Sequence, residues 1–360
     1  MENSKFQIDK LPPKLDCETN LILINLNKAS RALGELKGEV KKIPNSQILI
    51  DTLSLQEAKD SNEIENIVTT DDELYQASID DNFLSVAAKE ATNYAKALKS
   101  GYEVLKAKGL ITTNDIINIQ KFIAPNQPIR KVPGTVLKNP ATGEVVYTPP
   151  QDYLAIKELL NNLETYINTP EFHDIDSLIK MPIIHYQFES IHPFFDGNGR
   201  TGRIINILYL VQQKLLDIPV LYLSSYIIKN KNDYYRLLQE VRTKNSWEEW
   251  IIWMLNGVEQ TALETIKVVN RIKILMDEFK KEIKQKHNFY SHDLINILFK
   301  HPYTKIDFLH RELGIHRNTA SSYLNTLVDD GLLSKVKKGK TNYYINDELF
   351  SILTKSNSDN

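Results

Sequence analysis

One run of twelve residues, 192–203, constrains this chain more than any other part of it. It reads His-Pro-Phe-Phe-Asp-Gly-Asn-Gly-Arg-Thr-Gly-Arg, and the segment that follows, 204–211, is apolar on nearly every helical face. A helix that is hydrophobic all round lies buried at the centre of a domain. The polar run is therefore predicted to be a loop that leads into the amino-terminal end of a core helix.

The residues of this loop suit a bound polyphosphate. The amino-terminal end of a helix offers free backbone N–H groups and the positive end of the helix dipole, and both attract anions. Gly197 and Gly199 let the backbone approach a ligand closely. Arg200 and Arg203 are three residues apart, so they share one helix face and can reach the same ligand. His192 belongs to the residue type that accepts protons near neutral pH, so the run predicts phosphoryl or nucleotidyl transfer.

The pattern His-Pro-Phe-x-Asp-Gly-Asn-Gly-Arg-x-x-Arg resembles the signature of the Fic family at every specified position, and residues 188–191 resemble its usual lead-in. A motif with this many fixed positions is specific, provided that its structural context agrees. Fic proteins typically transfer AMP from ATP to a hydroxyl side chain of a target protein. The resemblance therefore implies a protein adenylyltransferase that uses ATP as substrate and Mg²⁺ as cofactor, with a Tyr, Thr or Ser hydroxyl of a target protein or of the chain itself as the acceptor.

The resemblance also assigns the reacting groups. His192 would be the general base that removes the proton from the acceptor hydroxyl, whose oxygen attacks the α-phosphate of ATP. Asp196 would hold Mg²⁺ between the α- and β-phosphates, since one carboxylate with phosphate oxygens is a usual set of Mg²⁺ ligands. Phe194 is expected to anchor the loop in the core rather than to contact substrate.

Phosphate binding is assigned to the residues that follow. The backbone amides around Gly197, Asn198 and Gly199 would cradle oxygens of the α- and β-phosphates. Arg200 would neutralise charge on the β-phosphate, and Arg203 would bind the γ-phosphate. The Gly-Asn-Gly spacing favours adenylylation over phosphorylation, while other nucleotide donors stay open.

A β-hairpin is predicted between 133 and 150, where prolines, glycines and alternating apolar residues surround a turn at 139–143. It falls where the Fic family has its flap, which pairs with the target segment by β-augmentation. Val145, Val146 and Tyr147 are the predicted pairing strand. A plain structural hairpin is the alternative.

Residues 233–238 resemble the family segment that lines the adenine pocket. Tyr234 or Tyr235 would stack on the base or form a hydrogen bond with it. Tyrosines on a helix also suit the edge of a hydrophobic core, so both interpretations stay open.

An inhibitory element is predicted upstream of the motif. Residues 61–66 read Ser-Asn-Glu-Ile-Glu-Asn and match the pattern Ser/Thr-x-x-x-Glu-Gly/Asn of inhibited Fic proteins. Glu65 would pair with Arg203 and occupy the place of the γ-phosphate, while Ser61 would hydrogen-bond within the motif to hold the helix. A solvated helix carboxylate is the alternative for Glu65. Some family members also use this glutamate to remove AMP, and the sequence leaves that open.

Periodicity along the chain predicts a mainly α fold, with a Fic helical core, a β-hairpin flap and a C-terminal winged helix-turn-helix module. The expected division is an N-terminal helical region with the inhibitory helix (1–110), a Fic catalytic domain (111–257), a connector helix (258–288) and the winged-helix module (289–360). Helices are expected over 21–36, 48–61, 86–101 with a cap at Gly101, 115–123, 151–168, 175–188, 199–213, 231–243, 246–257 and 258–285.

The C-terminal module supplies the second functional hypothesis. Helices over 304–313 and 317–328 with β runs at 333–336 and 342–345 have winged-helix spacing. Residues 316–322 are of types that contact phosphates and base edges, but the module is only mildly basic. A DNA-binding regulator with a secondary Fic core is therefore the alternative function. Whether the chain forms a homodimer stays open.

Composition narrows the setting. The net charge of −2 gives no overall attraction to nucleic acid or membranes. Cys17 is the single cysteine, so an internal disulfide is impossible and a reducing compartment fits. The first residues lack a secretory signal pattern, and no apolar run approaches a membrane span. We expect a cytoplasmic protein without a membrane partner.

Overall fold

A computed structural model describes residues 8–79, 85–138, 142–169, 175–338 and 341–355. Helix makes up 68% of the structure, which confirms the mainly α prediction. The helices are α1 (Asn20–Val40), α2 (Ser46–Ile64), α3 (Asp71–Ala77), α4 (Val86–Lys108), α5 (Thr113–Ile123), α6 (Tyr153–Asn168), α7 (Ser177–Ile191), α8 (Asn198–Gln212), α9 (Leu223–Lys229), α10 (Lys231–Lys244), α11 (Trp247–Lys286), α12 (His292–Lys300), α13 (Ile306–Leu313), α14 (Arg317–Asp329) and α15 (Asp347–Lys355). The strands are β1 (Leu137–Lys138), β2 (Val145–Tyr147), β3 (Tyr303–Thr304), β4 (Ser334–Lys338) and β5 (Thr341–Ile345).

Helices α7 and α8 pack against each other at the centre of the fold. Every residue of α7 from Leu178 to Ile191 is buried, and α8 is buried on almost all sides as far as Leu210. Side chains that are apolar on every face explain this central position, because such a helix cannot turn any side towards water without cost. The predicted core helix after the polar loop is confirmed.

Helix α2, which carries the predicted inhibitory element, is part of the core as well. Helix α2 packs on α4 and α9, and polar residues along it are buried, among them Glu57 and Ser61. The Glu57 carboxylate accepts hydrogen bonds from Ser224 Oγ at 2.5 Å and from Tyr94 Oη at 3.1 Å. Buried polar groups need such partners, so α2 is held in one position in the core.

The predicted β-hairpin is present, and its role as a flap stays a prediction. Strands β1 and β2 pair antiparallel, with Leu137 opposite Tyr147 and an irregular register between Leu137 and Lys138. Part of the predicted turn, 139–141, lies outside the described residues. The hairpin precedes α6 in the chain, and its β2 strand reaches the end of α7, where Tyr147 Oη donates to the Ser190 carbonyl.

Helix α4 does not end at Gly101, so that prediction was wrong. It continues to Lys108 and ends at Gly109, whose φ of +73° is the left-handed cap conformation. Gly101 lies inside the helix, where an added Cβ would meet Leu208 Cδ1 at 2.8 Å. Glycine is required there for close packing of α4 on α8, and a sequence alone does not distinguish that role from a cap.

The predicted break between 257 and 258 was also wrong, because α11 runs unbroken for 40 residues. Gly257 lies within it and packs on Tyr226, whose ring would be 2.7 Å from an added Cβ. Helix α11 packs along α1, and residues beyond Gly257 such as Ile266 and Val269 are buried in the core. It is therefore part of the core rather than a bare connector. Helices α3 and α9, of seven residues each, were too short to be predicted from periodicity.

The C-terminal module contains the predicted pair of helices, α13 and α14, and a sheet in the order β3-β5-β4. Its description as a winged helix stays a prediction. The module packs on the N-terminal region, where Lys338 Nζ lies 3.0 Å from Asp72 and the Phe350 ring contacts Tyr75 edge-on at 5.7 Å. Residues far apart in sequence thus share one continuous hydrophobic core.

Two smaller predictions concern the reactivity of Cys17 and the suitability of the helices as membrane spans. Cys17 is buried, and burial, with Asp16 and Glu18 beside it, raises the pKa of its thiol to about 11, so it is an inert thiol. Over the described ranges, every helix is too short or too polar to serve as a membrane span.

Candidate active site

The polar loop is shaped by two left-handed residues at the ends of the central helices. His192 caps α7 with φ of 48°, and Gly197 precedes α8 with φ of +79°. Between them the Asn198 side chain accepts from the Phe194 N–H at 2.9 Å and donates to the Phe194 carbonyl at 2.8 Å. Phe194 is fully buried, as its predicted anchoring role requires. The loop is thus fixed between two rigid helices.

Helix α5 supports the loop from below. Gln120 Nε2 donates to the Asp196 carbonyl at 2.6 Å, and Thr201 Oγ1 donates to Gln120 Oε1 at 2.6 Å. An added Cβ at Gly197 would lie 3.0 Å from the Gln120 amide. Gln120 therefore fixes the position of the loop relative to the start of α8, a role that could not be predicted from the sequence.

Burial, with a smaller contribution from nearby charges, lowers the pKa of the His192 imidazole. Desolvation by burial lowers its pKa to about 4, with the charges of Arg130 and Arg242 acting in the same direction and Glu65 opposing them. The ring is consequently neutral at physiological pH. A neutral imidazole can accept a proton, which is what a general base requires.

Arg130 connects the polar loop at 192–197 to the base of the hairpin. This side chain is 1% exposed, and its Nε donates to the His192 carbonyl at 2.8 Å while Nη2 donates to the Pro150 carbonyl at 2.9 Å. The backbone N–H of Arg130 also donates to the Pro193 carbonyl at 2.8 Å. The positions of the loop and of the hairpin are therefore coupled.

Arg203 is buried and bound by residues 61–65, which belong to the predicted inhibitory element. Its Nη2 donates to Glu65 Oε1 at 2.9 Å and to the Ser61 carbonyl at 2.8 Å. Its Nε donates to Ser61 Oγ at 2.8 Å. The predicted contact between Glu65 and Arg203 is present, whereas Ser61 contacts Arg203 directly instead of only stabilising its own helix.

Glu65 covers the amino-terminal end of α8. It caps the carboxyl end of α2, and a methyl group at Gly199 would overlap its carboxylate. The carboxylate therefore lies in the position where the helix dipole and the free N–H groups favour an anion. Its side chain stays 34% exposed, while that of Arg203 is 1% exposed.

Arg200 and Asp196 form the second ionic group of the site. Arg200 Nη1 lies 2.5 Å from Glu90 Oε2, and Nη2 lies 3.3 Å from the Asp196 carboxylate. Asp196 also accepts the Gly197 N–H at 2.6 Å, yet its side chain is 65% exposed. In the part of the chain that the structure describes, no three His, Cys, Asp or Glu side chains form a metal cluster. Asp196 thus offers a single open carboxylate.

Two further acids surround Arg203. Burial raises the pKa of Glu189 to about 7, and Arg203 acts against that rise. The pKa of Glu57 is raised to about 7 for the same reason, with the hydrogen bonds from Ser224 and the charge of Arg203 opposing it. Arg203 is therefore the cation on which three acids converge, and Glu65 is the one that lies over the helix end.

The predicted docking strand divides into exposed and buried residues. Val145 and Val146 are 55% and 43% exposed. Tyr147 is 5% exposed, and its hydroxyl donates to the Ser190 carbonyl at 2.7 Å. Tyr147 therefore anchors the strand through its side chain, and the role of Val145, Val146 and Tyr147 in target docking stays a prediction.

The two candidate adenine contacts differ in the same way. Tyr234 is 2% exposed and bonded to His185 Nε2 at 2.8 Å, within a cluster that includes Trp250. Tyr235 is 47% exposed and lies edge-on to Tyr234 at 5.1 Å. Only Tyr235 of this pair presents a ring to solvent in the structure.

Comparison with known proteins places three family models on the chain. The model described as Fic/DOC family N-terminal matches 23–103, and the Fic/DOC family model matches 110–210. A model described as protein adenylyltransferase SoFic-like, C-terminal domain, matches 275–349. The central match contains α7, the polar loop and most of α8.

Relatives agree with these matches. A probable protein adenylyltransferase from Aquifex aeolicus is 24% identical over 301 residues, which cover 80% of this chain and 84% of the relative. The protein adenylyltransferase fic-1 of Caenorhabditis elegans is 33% identical over 57 residues, or 16% of this chain and 11% of its own.

Solved structures share the fold. A Fic family protein from Desulfovibrio desulfuricans superposes with a TM-score of 0.56 at 20% identity, covering 91% of this chain and 96% of its own. Residues 134–508 of the Caenorhabditis elegans protein superpose with a TM-score of 0.53 at 18% identity, covering 69% of this chain and 74% of that structure. At these identities the likeness concerns the fold alone.

Proposed function

This chain belongs to the Fic/DOC family, and from that premise we propose that it is a protein adenylyltransferase, which transfers AMP from ATP to a hydroxyl side chain of a target protein and of itself. The observation that carries the proposal is the position of His192, which ends α7 and begins the loop that leads into the amino-terminal end of α8. A proton acceptor and an anion site are thereby adjacent. The adenylyltransferase names of its relatives support the same activity.

The proposed reaction uses His192 as the general base. The imidazole takes the proton of the acceptor hydroxyl as its oxygen bonds to the α-phosphorus of ATP. The bond between the α-phosphorus and the bridging oxygen breaks, and pyrophosphate leaves. The N–H groups at the start of α8 stabilise the charge that gathers on the α-phosphate oxygens.

Arg203 and Arg200 would bind the outer phosphates. Arg203 already holds a carboxylate at the helix end, and a γ-phosphate would replace Glu65 there with a similar set of charge-assisted hydrogen bonds. Inhibition by Glu65 is therefore competition for one buried cation. Arg200 would turn from Asp196 to the β-phosphate while keeping Glu90 as its second partner.

Asp196 fits the expected Mg²⁺. Its carboxylate is open to solvent and lies at the end of the helix where the phosphates would bind. One carboxylate with phosphate oxygens and waters satisfies this ion. When bound, Mg²⁺ would neutralise phosphate charge, and Asp196 would hold it.

The acceptor segment would add to the hairpin. Val145 and Val146 form an exposed, short edge next to the catalytic loop, and an extended peptide can pair with such an edge through its backbone. Tyr235 would contact the adenine.

Removal of AMP, homodimerisation and DNA binding stay predictions, and the site favours none of them. For DNA binding, Arg317 lies at the start of the helix α14 that would contact the nucleic acid, and its guanidinium is paired with Asp307 at 2.5 Å.

Labelled ATP tests the proposed activity directly. We expect the Glu65→Gly variant with Mg²⁺ to attach label from α-labelled ATP to itself or to a lysate protein, and to attach none from γ-labelled ATP. Transfer of the γ-label would identify a kinase instead. If neither label is transferred, the proposed function is wrong.

The pH dependence follows from the lowered pKa of His192. Because the pKa of His192 is lowered to about 4, the imidazole is deprotonated at neutral pH and takes up a proton only in acid. We therefore expect kcat/KM for ATP to stay constant from about pH 8 to about pH 5 and to fall at lower pH. In the Glu65→Gly variant the group that raises this pKa is removed, so the fall should not move to higher pH. A decline centred near the ordinary histidine value of about 6.5 would contradict the assignment.

A further inference from the structure

The hairpin is fastened to the catalytic loop by a residue outside the motif, and we propose that Arg242 is a positioning residue that holds strand β2 in place beside His192. The inference rests on the proposed function, since it concerns how the acceptor segment is presented to the base. Arg242 belongs to α10, which has no other role in the reaction outlined above apart from Tyr235.

Arg242 contacts both parts that must be aligned. Its guanidinium carbon lies 4.1 Å from the centre of the Tyr147 ring in β2. Its Nη2 lies 3.4 Å from Ser190 Oγ, two residues before His192. Tyr147 closes the triangle, because its hydroxyl donates to the Ser190 carbonyl at 2.7 Å. The strand, α7 and α10 therefore meet at one point.

The guanidinium is itself held by the core. The Tyr186 ring lies 5.7 Å from its carbon on another side, and Tyr186 packs edge-on against Trp247 at 4.7 Å. A planar guanidinium stacks on aromatic faces in a way that an ammonium does not. Arg242 is thus a rigid support for Tyr147 rather than a mobile surface charge.

Arg130 has a different task at the same junction. It binds the carbonyls of His192 and Pro150 and so fixes the base of the hairpin. Arg242 acts on the strand that carries the exposed Val145 and Val146. Since neighbouring residues of a strand face opposite sides, a shift of β2 by one residue would move the Val145 and Val146 side chains to the opposite faces of the hairpin.

Alignment matters because the acceptor hydroxyl must reach both the imidazole and the α-phosphorus. Reacting groups displaced by about 1 Å can lose about a hundredfold in rate. Arg242 has a second effect, since its charge helps to lower the pKa of His192. Arg130 acts in the same direction, Glu65 from α2 acts against both, and burial is the largest cause.

The test uses the full chain carrying Glu65→Gly and whichever acceptor this parent labels with α-labelled ATP. We expect Arg242→Leu to lower the labelling rate at saturating ATP by about tenfold or more, with the half-saturating ATP concentration changed by less than about threefold. The acid limb of its pH profile should move to higher pH. Arg271→Leu, the same substitution at an exposed position on α11, is the matched control and should change neither quantity.

Two further variants separate stacking from charge. Arg242→Lys keeps the positive charge, so its pH profile should match the parent while its rate falls. Tyr147→Leu should lower the rate without moving the acid limb. Thermal unfolding of each variant shows whether a loss of rate reflects unfolded protein.

The outcomes are distinguishable. A parent that transfers no label overturns the proposed function and this inference with it. A labelled parent whose Arg242→Leu variant keeps both its rate and its pH profile overturns the inference alone. A rate loss in Arg242→Leu that is matched by the fraction of unfolded protein, or by a comparable rise in the half-saturating ATP concentration, shows a merely structural role and also overturns it.

Discussion

Replacing Glu65 by glycine should raise the rate of adenylylation by about ten- to a hundredfold. The substitution removes the carboxylate that Arg203 binds at 2.9 Å and that covers Gly199. A hydrogen bond to a charged group contributes about 1.5 to 3 kcal/mol, and each 1.4 kcal/mol or so corresponds to about tenfold. Freed of this competitor, Arg203 can bind the γ-phosphate and place the α-phosphate for attack.

The variant should remain folded because Arg203 keeps other partners. Ser61 continues to accept from its Nε and Nη2, and the buried acids Glu57 and Glu189 still lie near its charge. Glu65 caps α2 rather than occupying its interior, so glycine there costs little helix stability. We therefore expect a melting temperature close to that of the unchanged chain.

Glu63→Gly provides the matched control. It is the same substitution two residues away, at a partly exposed position with no contact to Arg203 recorded among the described residues. Labelling with α-labelled ATP should rise for Glu65→Gly and not for Glu63→Gly. Equal rates for Glu65→Gly and the unchanged chain would show that Glu65 is only a helix-capping carboxylate.

The geometry also indicates how the inhibition can be lifted. Ser61 and its helix are buried, whereas the Glu65 side chain lies at the end of α2 and is partly exposed. Asn66, directly after it, has φ of 62°, so the chain turns sharply away from the helix at this point. Rotation of one side chain can release Arg203 without removing α2 from the core.

Much of the site was predictable because its residues are consecutive. The run 192–203 holds its base, carboxylate and arginines within twelve consecutive residues, so they stay close together even if the bounds of the surrounding helices are predicted wrongly. The Glu65–Arg203 contact was predictable only through the family pattern. Nothing in local periodicity relates two residues that are 138 positions apart.

The residues that support the loop could not be predicted from the sequence. Four polar residues contact the loop or the end of α7 from other elements: Glu90 from α4, Gln120 from α5, Arg130 from the segment before the hairpin and Arg242 from α10. In its own segment, each looks like an ordinary polar residue. Their roles depend on tertiary packing. Likewise, the exposure of Tyr235 and the burial of Tyr234 follow from how α10 packs, not from their shared residue type.

The helical fold was predictable in outline, and the errors had a common cause. Gly101 and Gly257 were taken as helix ends, yet both lie within helices at close contacts with Leu208 and Tyr226. A glycine that ends a helix and a glycine that admits a neighbouring side chain look alike in sequence. The difference is decided by packing between elements far apart in the chain.

Replacing His192 by alanine in the Glu65→Gly background should lower the labelling rate by about a hundred- to ten-thousandfold, the usual contribution of a general base. The neutral imidazole is the group that can take the acceptor proton. ATP affinity should be nearly unchanged, because His192 is not among the residues expected to bind phosphate. Isothermal titration with ATP and a rate measurement with α-labelled ATP together separate binding from catalysis.

Two variants guard this result against a folding artefact. His192 adopts φ of 48°, a conformation that asparagine tolerates better than alanine, so His192→Asn should be equally inactive and as stable as its parent. His292→Ala, at an exposed position in α12, is the matched control and should keep the parent rate. If His192→Asn retained labelling within about tenfold of its parent, proton removal by the imidazole would not be the source of the rate, and the base would have to be sought among the other groups at the helix end.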